Sequence, residues 1–95
     1  MMQIGRMVTR IAECVAEDAC LAMEALGNIA DHVKGNASDD VLEVAERLYR
    51  IVGNMARLLS REIAAEYHAR ILDGSERVGY AIEAAYLDDH LKEAE

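Results

Sequence analysis

Apolar residues in the first third of the chain recur at intervals of three and four. Ile4, Val8, Ile11, Val15, Ala22, Leu26, Ile29 and Val33 form this series, which is interrupted only around Asp18 and Ala19. That spacing places them along one side of a helix with 3.6 residues per turn. The middle third carries two adjacent lines, Val41, Ala45, Leu48, Val52, Met55, Leu59 and Ile63 beside Val44, Ile51, Leu58, Ala65 and Leu72. A band of that width predicts a helix covered on two sides. In the last third Tyr80, Ile82, Tyr86, Leu87 and Leu91 surround the helix axis, and no segment shows the strict alternation of a strand.

Two clusters of helix-breaking residues divide this pattern, "KGNASDD" from Lys34 to Asp40 and "LDGSER" from Leu72 to Arg77. They predict a single helical domain over residues 1–95, with helices at 3–33, 40–72 and 75–94. Gly35 reads as a C-cap, Asp40 with Glu43 as a capping box, and Gly74 followed by Ser75 as a second stop and start. The stretches "LGNIA" (26–30) and "VGNMA" (52–56) lie inside two of these helices. The apolar phase does not reset after Gly27 or Gly53, so both glycines read as points of close helix approach rather than as turns. At an offset of 26 the two segments share Val15 with Val41, Glu17 with Glu43, Ala19 with Ala45, Gly27 with Gly53, Asn28 with Asn54 and Ala30 with Ala56. Alanine-rich helices also converge on such matches.

The expected architecture is all-α: a long antiparallel helical hairpin plus a shorter third helix. Two helices of about thirty residues would each be ~45 Å long, more than a chain of this length covers on every apolar side. Homodimerisation of two hairpins into a four-helix-type bundle solves this, with Gly27, Leu48, Val52, Gly53, Met55 and Leu59 at the dimer interface.

Composition supports helices and narrows the partners. The 95 residues include sixteen alanines and no Pro, Trp or Phe. Eighteen acids against ten bases give a formal charge of -8. That charge disfavours direct nucleic-acid binding, which depends on neutralising phosphates, and favours a protein partner with a basic surface. Arg6, Arg10, Glu13 and Glu17 interrupt the apolar N-terminal stretch, so no signal peptide or membrane span is expected and the expected location is the cytoplasm. Cys14 and Cys20 are too far apart along a helix to bridge each other, and reduced thiols are expected.

Candidate chemistry is thin. Arg47, Arg50, Arg57 and Arg61 follow helical spacing on the second helix, as Glu13, Glu17, Glu24 and Asp31 do on the first. Both lines read chiefly as solvated faces. Carboxylates at Glu13 and Glu17, at Asp40, Glu43 and Glu46, and at Glu62 and Glu66 raise the alternative of a metal-dependent nucleotide hydrolase of helical-bundle type. The paired motif used by helical nucleotide pyrophosphohydrolases, Glu-Glu-x-x-Glu followed by Glu-x-x-Asp, is absent. His32, His68 and His90 form neither a Glu-x-x-His nor an i, i+4 pair. Ser38 and Ser75 fall in capping regions, and Ser60 falls on the polar side of the second helix. Cys20 shares the acidic line, where an exposed thiol would be dulled by the negative field. Asp18 either meets water at a boundary or pairs with Arg57 or Arg61.

No metal, cofactor or catalytic residue is therefore expected. The sequence predicts a small acidic interaction module that regulates or inhibits another protein. Tyr80, Glu83, Tyr86, Leu87 and Asp88 of the third helix form its expected partner surface, because tyrosines bring rigid area with a polar tip. A more specific alternative is an acidic decoy that occupies the site of a nucleic-acid-binding protein, as phage-encoded inhibitors do.

Overall fold

The computed structural model describes residues 2–33 and 35–94, and side chains at 5–33 and 35–88. Lys34 and the side chains of Ile4, His90 and Leu91, which entered the sequence reading, lie outside the described set. The fold is all-α, with no strand among the described residues. Helix α1 spans Met2–Ile29 and tightens into a single 3-10 turn at Ala30–His32. Helix α2 spans Asn36–Ala56 and α3 spans Arg61–Ala94. No described helix is long and apolar enough to cross a membrane.

The first break falls where the sequence placed it, with a different cap. Gly35 has φ 64°, a region that side chains rarely adopt, and its carbonyl accepts from the Ser38 amide at 3.0 Å. Since α2 starts at Asn36, Asp40 lies inside its second turn and does not act as the capping residue.

The second break is elsewhere. The chain turns at Arg57–Ser60, and the segment from Leu72 to Arg77 is continuous helix. Ser60 explains the start of α3: its Oγ accepts from the Ile63 amide at 3.3 Å and its carbonyl accepts from Ala64 at 2.9 Å. A serine with an acid, Glu62, in the following first turn is a helix N-terminus signal that does not need Gly or Pro. Ser60 is thus a cap, and the predicted second and third helices at 40–72 and 75–94 are replaced by α2 and a 34-residue α3.

Both Gly-Asn pairs sit in the last turn of a helix, α1 ending at Ile29 and α2 at Ala56. The glycines lie within helices as expected, but neither is a tight contact point. A Cβ on Gly27 would lie 4.0 Å from the Cβ of Arg77, and one on Gly53 would meet nothing within 4 Å. The close approach is at Gly74, where a Cβ would come within 2.6 Å of Met23 Cγ and 3.4 Å of Met23 Cβ. The glycine read as a stop is the one that lets α3 press against α1.

Each helix packs on both others. Glu17 meets Arg70, Met23 meets Gly74 and Gly27 lies by Arg77, so residue numbers rise together along α1 and α3. Tyr49 stacks edge-on to His68, ring centroids 5.7 Å apart, while Leu42 shares a groove with Gly79, so α2 runs the other way against α3. The core comprises Ala12, Ala16, Ala19, Cys20 and Met23 of α1, Ala30, Ala45 and Val52, and Ile71 and Val78 of α3. On α1 the inward face is therefore made mostly of alanine. The molecule measures 66 × 20 × 16 Å.

Candidate interaction surfaces

Several large apolar residues of α1 face away from this core, although Met23 is buried in it and Leu26 packs against it. Met7 is 62% exposed, Ile11 56% and Leu21 49%, and Val8, Cys14 and Ile29 are exposed as well. Met7, Ile11, Cys14, Asp18, Leu21 and Ala25 alternate steps of four and three, the seam of a coiled-coil-like helix contact. Val8, Val15, Ala22 and Ile29 widen the seam on one flank, and Arg10, Glu17 and Glu24 line the other. The sequence reading drew one stripe through Val8, Ile11 and Val15 and took it for the buried face. The structure instead buries the line through Ala12, Ala16, Ala19, Cys20 and Met23, and the four-three pattern through Met7, Cys14 and Leu21 was the available signal for a second face. Asp18, in the middle of this seam, is exposed, which removes the alternative of a buried pair with Arg57 or Arg61.

Charge is divided between the two ends. Thr9 donates to the Leu58 carbonyl at 3.4 Å, which brings the Arg57–Ser60 turn beside the start of α1. Arg6, Arg10, Arg57 and Arg61 therefore gather at one end, with Glu13 and Glu62 close by in sequence. Asp31, Asp39, Asp40, Glu76 and Glu83 belong to the other half of the bundle. The expected arginine face on one helix is thereby split. Arg47 and Arg50 pair with Glu43 and Glu46 one turn back, whereas Arg57 lies in the turn and Arg61 opens α3.

The seam between α1 and α3 holds the strongest polar contact. Arg70 donates from both terminal nitrogens to Glu17, the longer arm at 3.2 Å, and lies 5.8 Å from the centre of the Tyr67 ring. Hydrogen bonding to Arg70 holds the Glu17 carboxyl below the usual range and in turn raises the Arg70 guanidinium. Burial pushes the Tyr67 phenol and the Cys20 thiol up. Cys20, 3% exposed, lies 3.8 Å from the Tyr67 carbonyl and is held protonated chiefly by its burial, and the thiol open to solvent is Cys14. No group of three or more His, Cys, Asp or Glu side chains close enough to hold a metal occurs among the described residues.

On α3, Tyr80 is 69% exposed, with Glu83, Tyr86, Leu87 and Asp88 also at the surface. Glu83 and Tyr86 border a groove of ≈ 490 Å³ between α3 and the start of α2, floored by Val33, Leu42 and Ile82. The residues assigned to a dimer interface do not form one surface. Val52 is 1% exposed within the single chain and Leu48 packs on the same core, so both are interior positions of one subunit. Met55 and Leu59 are half-buried near the turn, Gly27 is half-buried beside α3, and Gly53 is open to solvent.

No family model, curated protein or solved structure matches the chain.

Proposed function

We propose that this chain is a small acidic, non-catalytic interaction module that pairs with a second copy of itself and presents α3 to a protein it regulates or inhibits in the cytoplasm. In this reading α1 and α2 form an antiparallel hairpin, and two subunits complete a larger helical bundle. A single observation supports it most. Ahead of Met23 the inward face of α1 is built of Ala12, Ala16, Ala19 and Cys20, while Met7, Ile11 and Leu21 are exposed on the outward face, a distribution suited to a helix covered on both sides. Tyr80, Glu83, Tyr86, Leu87 and Asp88 remain the surface for the other partner, and the acidic charge around Glu76 and Glu83 suits a basic one.

Sedimentation equilibrium on the reduced protein tests the first part: a dimer at micromolar concentration is expected, and a monomer up to millimolar concentration refutes pairing. The second part is tested by affinity capture with the native chain and with a Tyr80→Ser/Leu87→Ser variant. A protein held by the native chain and released by the variant is expected; equal retention by both refutes the α3 surface.

A further inference from the structure

We infer that the outward face of α1 is the contact between the two copies and that the two α1 helices run antiparallel across it. This rests on the self-association proposed above and adds to it the surface, the direction and the residues that set them.

The occupant follows from charge and from one residue. Asp18 lies in the seam between Cys14 and Leu21. In a contact between helices running the same way, equivalent residues face one another, so Asp18 would meet Asp18 of the second copy. Two desolvated carboxylates without a counter-charge oppose such a pairing. Antiparallel helices instead place position n against a different position. In the arrangement that overlaps the seam from Met7 to Asp18, Asp18 stands opposite Met7 of the second copy, within one turn of that copy's Arg6 and Arg10, and Ile11 stands opposite Cys14.

The same orientation satisfies the flank and the molecule as a whole. Arg10 flanks the seam two turns before Asp18, so reversing the second copy brings each arginine toward the other's Asp18 carboxylate, while Glu17 on the same flank stays paired with Arg70. It also sets the arginine end of each subunit, with Arg57 and Arg61, alongside the acidic half of its neighbour, whereas a parallel pair would bring two acidic halves together. A foreign helix could use the apolar part of this face, but the reciprocal match of Asp18 with Arg6 and Arg10 is supplied by the chain itself.

The test combines sedimentation equilibrium with a distance measurement. Ile11 is 56% exposed and stands opposite Cys14 of the second copy in this register, so Ile11→Arg should leave the helical circular dichroism unchanged and weaken the dimer at least ~10-fold, the usual scale for losing an interface anchor. Arg10→Glu should weaken it less, and adding Asp18→Arg should recover part of that loss. For orientation, a spin label at Glu24→Cys in a Cys14→Ser/Cys20→Ala background should give an intersubunit distance of about 35 Å or more, because 23 residues of helix separate the labels along the axis. A label distance below about 20 Å, as side-by-side parallel helices require, overturns the antiparallel orientation. A dimer untouched by Ile11→Arg overturns the α1 face while leaving self-association standing. A monomeric native protein overturns both.

Discussion

Between Met7 and Leu21 the two faces of α1 invert the usual relation between size and burial, before the buried Met23 restores it. Toward the other helices α1 offers Ala12, Ala16 and Ala19, all buried; away from them it offers Met7, Ile11 and Leu21, all exposed. Small residues let helix axes approach closely, so the inner contact draws on tight packing of backbone and Cβ atoms. The outer one would draw on apolar area, roughly 25 cal/mol per Å² removed from water. The lesson is that apolar bulk along a helix does not by itself say which face is turned to the core of the chain.

Substitutions can break this contrast or sharpen it. The largest effect belongs to Ile71→Ala, which truncates a fully buried side chain and should lower stability by about 2–4 kcal/mol in denaturant titration. Gly74→Ala comes next, at about 1–2 kcal/mol net. The added methyl collides with the inner part of the Met23 side chain, and the gain in helix propensity offsets only part of that strain. Gly53→Ala tests the opposite case, an open helical position where stability should rise by about 0.5–1 kcal/mol. If the two glycines respond alike, the close approach of α3 at Met23 is wrong. Ile11→Ala should change the stability of the dilute chain by no more than about 0.5 kcal/mol, since the side chain is mostly exposed there.

The smallest effect is a pH dependence. The Glu17 carboxyl is lowered by its bond to Arg70, so its contribution to stability is present above the ordinary carboxylate value of 4.5 and is lost as pH falls through the lower folded value. Glu17→Gln should remove that portion of the acid sensitivity in melting curves, and an unchanged acid limb would show the pair to be inert. Cys20 works in the other direction. Its raised thiol favours folding below the unfolded thiol range and loses that contribution as pH rises beyond it. Alkylation at neutral pH should accordingly modify Cys14 well before Cys20.

The helical class was legible because the chain has no proline and keeps three-four spacing through its first two thirds. The break near Gly35 was legible because a positive φ needs glycine. The other break was not. Arg57, Leu58 and Leu59 are good helix formers, and what ends α2 there is a pair of short turn bonds, Leu58 to Met55 and Leu59 to Ala56, followed by the Ser60 cap. Gly74 and Ser75 misled for a related reason: glycine in a sequence looks the same whether it ends a helix or admits a neighbour, and only the position of Met23 distinguishes the two. The surface of α3 around Tyr80 was readable from residue type. The outward face of α1 was obscured because two apolar lines share the helix with the buried line of Ala12, Ala16, Ala19, Cys20 and Met23, whose small members carry little weight beside Val8, Ile11 and Val15.

The lengthwise form of the bundle has a hydrodynamic consequence. A compact chain of this length has a radius of gyration of about 12 Å, whereas this one has 16.5 Å. A rod with the principal extents of this bundle experiences more friction than a sphere of equal mass, so a single subunit will leave a gel-filtration column early, near the position of a globular pair. Light scattering and equilibrium sedimentation weigh the particle without reference to its shape, and fluorescence anisotropy decay will show two tumbling times, a slow one for end-over-end rotation and a fast one for spinning about the long axis.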